Sequence, residues 1–226
     1  MFIIFLLVFI LSPSAAFAWG PLTHIYLGNE IYSFAALIPP AVMDLIRRHR
    51  EDFLYGNLIA DIILGKKYMP DEKSSHSWET GIKLFEQADS PSEEAFVYGY
   101  LSHLAADTVA HEALTEDKWQ MSHTWIELKA DSLIDKIYWL HSVTISSAVQ
   151  KRNDRFLEDS LERYVFSFKT NKRIYKSIVF LSLLNKKRRF GIDKRKVNCL
   201  HDESVVRIID ILQNNKDAFV LKKKPL

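Results

Sequence analysis

Gly99-Tyr100-Leu101-Ser102-His103-Leu104-Ala105-Ala106-Asp107-Thr108-Val109-Ala110-His111 is the stretch that decides how this chain folds. Its titratable residues recur every four positions among small and apolar neighbours, which is the spacing of one helical face. At 3.6 residues per turn, positions 103, 107 and 111 fall within an arc of ~80°. A helix that carries His, Asp and His into apolar surroundings buries three polar groups, which is costly unless each finds a partner. Hydrogen bonds within the core are one remedy. A bound cation is the more economical one, because zinc takes both imidazole nitrogen and carboxylate oxygen.

The composition around this stretch is that of a helical protein. Gly and Pro number seven each among 226 residues, too few for the turns of a sandwich or barrel. With 48% hydrophobic and 26% charged residues, the chain can bury the core of one compact domain, and it is neither a disordered tail nor a collagen-like repeat. The expected fold class is all-α, a compact multi-helix bundle. Helical patterns run from Thr23 to Leu37, Pro40 to Leu54, Ser92 to Leu114, His123 to Val149, Asp154 to Phe168, Asn171 to Leu184 and Asp202 to Asn214. Gly65 to Ser75, with Lys66, Lys67, Pro70 and Asp71, reads as an exposed loop. A single cysteine, Cys199, rules out an intramolecular disulfide and a thiolate zinc finger.

Further candidate ligands flank the central stripe. His123 and Glu127 form another i, i+4 pair, and the short connection from Thr115 to Met121 can bring the two pairs face to face. Upstream, Asp61 closes the apolar run Gly56-Asn57-Leu58-Ile59-Ala60-Asp61, where an unpaired carboxylate would be costly, and His76 follows the loop. His24 lies nearer the start. His49, His141 and His201 have no partner at helical spacing and read as structural or surface residues.

The start of the chain reads as an export signal, residues 1–18. Phe2 to Leu11 are continuously apolar, too short to span a bilayer, and the small-x-small triplet Ala16-Phe17-Ala18 follows. Cleavage after Ala18 would leave a single domain, residues 19–226, whose first residue is Trp19. A free α-amino group there can bind a metal; an amide nitrogen does so poorly. The net charge of +2 conceals a division. Residues 1–150 hold ten Lys and Arg against nineteen Asp and Glu, while residues 151–226 hold twenty against nine. The acidic part, with most of the histidines, is expected to hold the metal site. The basic part is expected to be either a solvated helical face or a surface for lipid headgroups or nucleic acid.

Taken in order, Trp19, His24, Asp61, His76, His103, Asp107, His111, His123 and Glu127 resemble the ligand series of the zinc-dependent phospholipase C family, and of the zinc-dependent single-strand nucleases that share its fold. The resemblance implies a helical fold with three zinc ions per chain. By matching position, Asp61, His76, His103 and Asp107 would hold the first zinc and His111, His123 and Glu127 the second. Trp19, His24 and Asp107 would hold the third, so that Asp107 bridges two ions. It further implies an exported phosphodiesterase that cleaves a phospholipid to diacylglycerol and a phosphorylated headgroup by metal-activated water, with Asp61 also orienting that water or accepting its proton.

Two other functions stay open on the sequence. A nuclease would use the basic residues after 150 to track phosphates and aromatic residues such as Trp78, Tyr100, Trp119 and Trp125 to stack bases. A non-catalytic metal-binding protein on a membrane surface would keep its signal uncut. The basic runs Lys186-Lys187-Arg188-Arg189, Lys194-Arg195-Lys196 and Lys222-Lys223-Lys224 suit an anionic membrane in either lipid reading. No protein partner is expected, and the chain should be a monomer.

Overall fold

Prolines and short polar side chains start the helices of this protein. The computed structural model describes residues 19–62, 74–116, 130–161 and 193–225. Pro21 opens α1 (Pro21–Glu30) and Pro40 opens α2 (Pro40–Arg48), places where a missing N–H costs nothing. α3 spans Arg50–Ile62. Ser77 caps α4 (Trp78–Gln87) by accepting from Thr80 N–H at 3.1 Å. Before α5 (Pro91–Glu116), Ser90 accepts from Glu93 N–H while the Glu93 carboxylate accepts from Asp89 N–H, a capping box shifted by one residue. Ser146 caps α7 (Ser147–Ser160), which follows α6 (Ile137–Thr144), and Asp193 caps α8 (Lys194–Asn214). The described residues contain no strand.

α5 is the axis. Its residues from Ala95 to Ala110 are all buried, as befits a helix surrounded by others, and α1, α2, α3, α4 and α8 pack around it. The closest approach is at two glycines. A Cβ added to Gly56 of α3 would lie 2.0 Å from Phe96 O, and one added to Gly99 of α5 would lie 2.0 Å from Phe53 O. Only residues without a Cβ allow the two backbones to touch here. This crossing draws the end of α3, with Asn57 and Asp61, onto the turns of α5 that carry His103 and Asp107.

Several helix boundaries differ from the sequence expectation. Thr23–Leu37 is not one helix: α1 tightens into a 3₁₀ segment, Ile31–Leu37, because Ile38 must be extended before Pro39. Pro40–Leu54 breaks at His49, whose backbone (φ −116°, ψ 43°) leaves the helix, and α3 then continues to Ile62. Within His123–Val149, residues 123–129 lie outside the described part. Beyond them the pattern is interrupted where Asp135 accepts from Ile137 N–H at 3.0 Å and again at Ser146. α7 starts before Asp154 and ends at Ser160, and α8 starts at Lys194, ahead of Asp202. The Asn171–Leu184 pattern lies outside the described residues, and α4 was not anticipated at all. Of the loop Gly65 to Ser75 only Ser74 and Ser75 are described; Ser75 is buried, not exposed.

The charge division has a structural counterpart. Acidic residues before 150 pair with basic ones after it: Asp52 accepts from Arg152 through both oxygens at 2.6 and 2.8 Å, Glu112 pairs with Arg207 and Lys223, and Glu86 pairs with Lys216. Part of the basic excess is therefore spent inside the molecule. Among the described residues no helix is long and apolar enough to cross a membrane.

Candidate metal centre

Four donor atoms from three chain segments meet beside the α3–α5 crossing. His103 and Asp107 come from successive turns of α5, Asp61 from the end of α3, and His76 from the turn before α4. His76 Nε2 lies 3.2 Å from Asp61 Oδ1, 3.4 Å from Asp107 Oδ2 and 3.1 Å from His103 Nε2. His103 Nε2 lies 3.0 Å from Asp107 Oδ2 and 3.8 Å from Asp61 Oδ1. Around a tetrahedral zinc with bonds of ~2.0–2.2 Å, neighbouring donors stand ~3.3–3.5 Å apart. The observed separations bracket that spacing.

Hydrogen bonds behind the rings decide which nitrogen faces the cluster. His103 Nδ1 lies 2.9 Å from the Asn57 carbonyl oxygen, an acceptor only, so Nδ1 carries the proton and donates. Ser75 gives its own hydroxyl proton to Ala60 O at 3.2 Å, so it accepts from His76 Nδ1 at 3.1 Å. In the neutral rings both Nε2 atoms then present lone pairs to each other across 3.1 Å. Two acceptors at that distance need a proton or a cation between them, and a zinc ion held by both nitrogens fits that need. Backing a ligand histidine with a carbonyl or hydroxyl is also how proteins fix the tautomer of metal-binding rings. Tyr100 adds support by donating its hydroxyl to Ser75 O.

The second oxygen of Asp107 serves another pair. Trp19 N lies 2.9 Å from Asp107 Oδ1, and His24 Nε2 lies 3.2 Å from the same atom. His24 is fully buried, its ring stacks on His103 at 3.7 Å between centroids, and neither of its nitrogens has an aligned hydrogen-bond partner. Burial works against charge on Asp107, yet the adjacent His103 and His24 rings hold its carboxyl well below the usual carboxylate range. Burial likewise opposes charge on His103, but Asp107 and Asp61 push that ring above the ordinary imidazole value. His24 is pushed down, by burial first and then by His103.

Of the nine expected ligands, Trp19, His24, Asp61, His76, His103 and Asp107 thus come together. His111 lies one turn beyond Asp107 and is partly exposed, outside both close-set donor groups; burial, with Lys224 nearby, lowers its ring below the ordinary value. His123 and Glu127 lie outside the described residues. The aromatic platforms change role: Tyr100 is wholly buried in the core, and Trp78 donates its indole N–H to Lys223 O at 2.6 Å. Trp119 and Trp125 lie outside the described residues. His201 is buried beside Trp19, the structural of the two roles expected for it.

The sequence reading missed Asp131. This buried carboxylate accepts from Leu22 N–H at 3.2 Å, Thr23 N–H at 2.9 Å and the Thr23 hydroxyl at 2.8 Å, capping α1 from a distant part of the chain. Its signal was present, since Asp131 continues the four-residue spacing of His123 and Glu127. Asn57, Ser75 and Ser204 carried no comparable pattern.

No curated protein and no solved structure matched the chain. The sequence model of the family described as zinc dependent phospholipase C matches residues 23–176. That span includes seven of the residues expected to bind metal in addition to His24, and it covers well over half of the sequence. With its helical fold and its cluster of imidazoles and carboxylates, the chain belongs to the zinc-dependent phospholipase C family.

Proposed function

We propose that the protein is an exported phosphodiesterase that hydrolyses a phospholipid to diacylglycerol and a phosphorylated headgroup. In this reading Asp61, His76, His103 and Asp107 hold one zinc, Trp19 and His24 share Asp107 with another, and His111, His123 and Glu127 hold a third. The observation that carries it is the pair of Nε2 atoms turned toward each other between two carboxylates, each ring fixed from behind. Bound zinc would supply a Lewis acid for the phosphoryl oxygens and make a water molecule acidic enough to ionise near neutral pH.

The protein's own groups do the positioning. Asp107 gives one oxygen to each ligand set, which fixes the distance between them. Asp61 is the most open of the four donors, its side chain 15% exposed against 0% for His76, His103 and Asp107. Solvent and substrate therefore approach on the Asp61 side, where its carboxylate can orient a water molecule or take its proton. The apolar run Phe2 to Leu11 and the triplet Ala16-Phe17-Ala18 support the export reading, and cleavage after Ala18 would turn Trp19 N from an amide into an amine. The mature single domain, residues 19–226, is read as a monomer.

The lipid reading is favoured over a nuclease because Tyr100 and Trp78, two of the residues that could have stacked bases, are engaged within the fold. The test supplies zinc to the purified exported protein and compares headgroup release from phosphatidylcholine vesicles with release of acid-soluble nucleotides from single-stranded DNA. Headgroup release with little nucleotide release is expected. Inactivity on both, with zinc bound, would overturn the assignment. N-terminal sequencing that finds Met1 retained would remove the terminal ligand and favour a non-catalytic surface protein.

A further inference from the structure

The residues that reach the site from the start of the chain are held by two side chains that touch no part of the donor cluster. Trp19 donates its indole N–H to Ser204 Oγ at 3.0 Å, and Ser204 is fully buried on α8. The hydroxyl proton of Ser204 goes to Leu200 O at 2.8 Å, so its lone pairs face the indole. The ring of His201, one turn before Ser204 on the same helix, meets the Trp19 ring edge-on at 5.0 Å. On the other side, Asp131 takes the N–H groups of Leu22 and Thr23 and the Thr23 hydroxyl. Gly20 lies so close to that carboxylate that an added Cβ would sit 2.4 Å from it.

We propose that Ser204 and Asp131 are positioning residues that clamp Trp19–His24 so that the terminal nitrogen and His24 meet one oxygen of Asp107. The inference rests on the reading of Trp19 as a zinc ligand and adds what holds it there. A newly cut chain end has the greatest freedom in the molecule, and a ligand on a loose end loses affinity to the entropy of ordering it. The indole hydrogen bond fixes the side chain of Trp19, and the Asp131 cap fixes the helix that begins two residues later. The nitrogen between these anchors is left with little freedom. The family match ends at residue 176, so α8, which supplies Ser204, lies beyond it.

The experiment uses the full exported protein starting at Trp19, stripped of metal and titrated with zinc against a chromophoric chelator. A form with one extra Gly before Trp19 identifies the zinc step that depends on the free amine. Ser204→Ala removes the acceptor of the indole N–H together with the bond to Leu200 O, and Thr23→Val removes the hydroxyl bond to Asp131, each with little change of volume. Each should weaken that step on the order of fivefold while leaving the other zinc steps unchanged. Ser204→Thr, which keeps a hydroxyl, should restore it. If an amine-dependent step exists and both variants bind as the parent does, the clamp is wrong while Trp19 remains a ligand. Equal weakening of every step also overturns the clamp, because that is general loosening. If the Gly extension changes no step, Trp19 is not a ligand and both readings fail.

Discussion

Replacing Gly99 by alanine should open the metal centre without touching any of its donors. The new Cβ would stand 2.0 Å from Phe53 O and 2.9 Å from Phe53 C, and both are backbone atoms that cannot rotate aside. Real Cβ contacts do not fall under 3.0 Å, so α3 must retreat from α5 by ~1 Å. A retreat of that size would stretch the His103 Nδ1 to Asn57 O hydrogen bond, now 2.9 Å, to ~3.9 Å, beyond hydrogen-bond range. It would carry Asp61 from 3.2 Å to ~4.2 Å from His76, too far for both to share a zinc. Overpacking costs ~1–3 kcal/mol, at the upper end here because nothing soft yields, and the better helix propensity of alanine offsets ~1 kcal/mol of it. A net loss of ~2 kcal/mol lowers Tm by ~4–8 °C in a domain of this size. Zinc affinity should fall ~10–100-fold, as it does when the support behind a ligand is lost. Gly81→Ala is the control: its Cβ meets Leu101 Cδ2 at 2.7 Å and Leu104 Cδ1 at 3.2 Å, the ends of flexible side chains. Thermal unfolding and zinc competition would be measured on both variants. A Gly99→Ala protein that matches Gly81→Ala in Tm and in zinc affinity would refute the idea that the glycine crossing sets the geometry.

Asp107→Ala should cost two zinc ions per chain and His76→Ala one, read by elemental analysis of the purified proteins; equal losses would contradict the bridging role of Asp107. Tyr100→Phe removes the hydroxyl that holds Ser75 O. It should cost ~1–2 kcal/mol by thermal unfolding and weaken zinc binding more than a core substitution of similar cost elsewhere, such as Leu84→Val. Burial raises the Asp131 carboxyl from 3.8 to about 6 against the opposing pull of its Thr23 and Leu22 hydrogen bonds. With the folded value raised, the contribution of Asp131 to stability is fully present below pH ~4 and is lost as pH rises through 6, a span of about 3 kcal/mol. Carbon-13 NMR of the Asp131 side chain should show a midpoint near 6 that moves higher in Thr23→Val, and a midpoint in the ordinary carboxylate range would contradict it.

The stripe on α5 was legible in the sequence because a helix converts spacing into direction. Once Ser102 to Ala110 reads as helix, His103 and Asp107 must point the same way, whatever packs on them. The all-α class followed from scarce Gly and Pro, and the ends of helices were less legible, as His49 shows by breaking an unbroken pattern. What spacing does not encode is the way one helix meets another. Gly56 and Gly99 look like ordinary helix-weakening residues until each is seen to lie on the carbonyl of the other helix, and that contact brings Asn57 O to His103 Nδ1. The tautomer of His103 therefore depends on a backbone atom of a residue whose side chain has no role at the site. Ser75 is the same case, a loop serine until its hydroxyl, committed to Ala60 O, leaves only a lone pair for His76. Ser204 is further still from any pattern, since its partner is the indole at the other end of the chain. Ligand identity is local chemistry and can be read along the sequence, whereas ligand orientation belongs to the contacts behind the ligands, which form only when the helices pack.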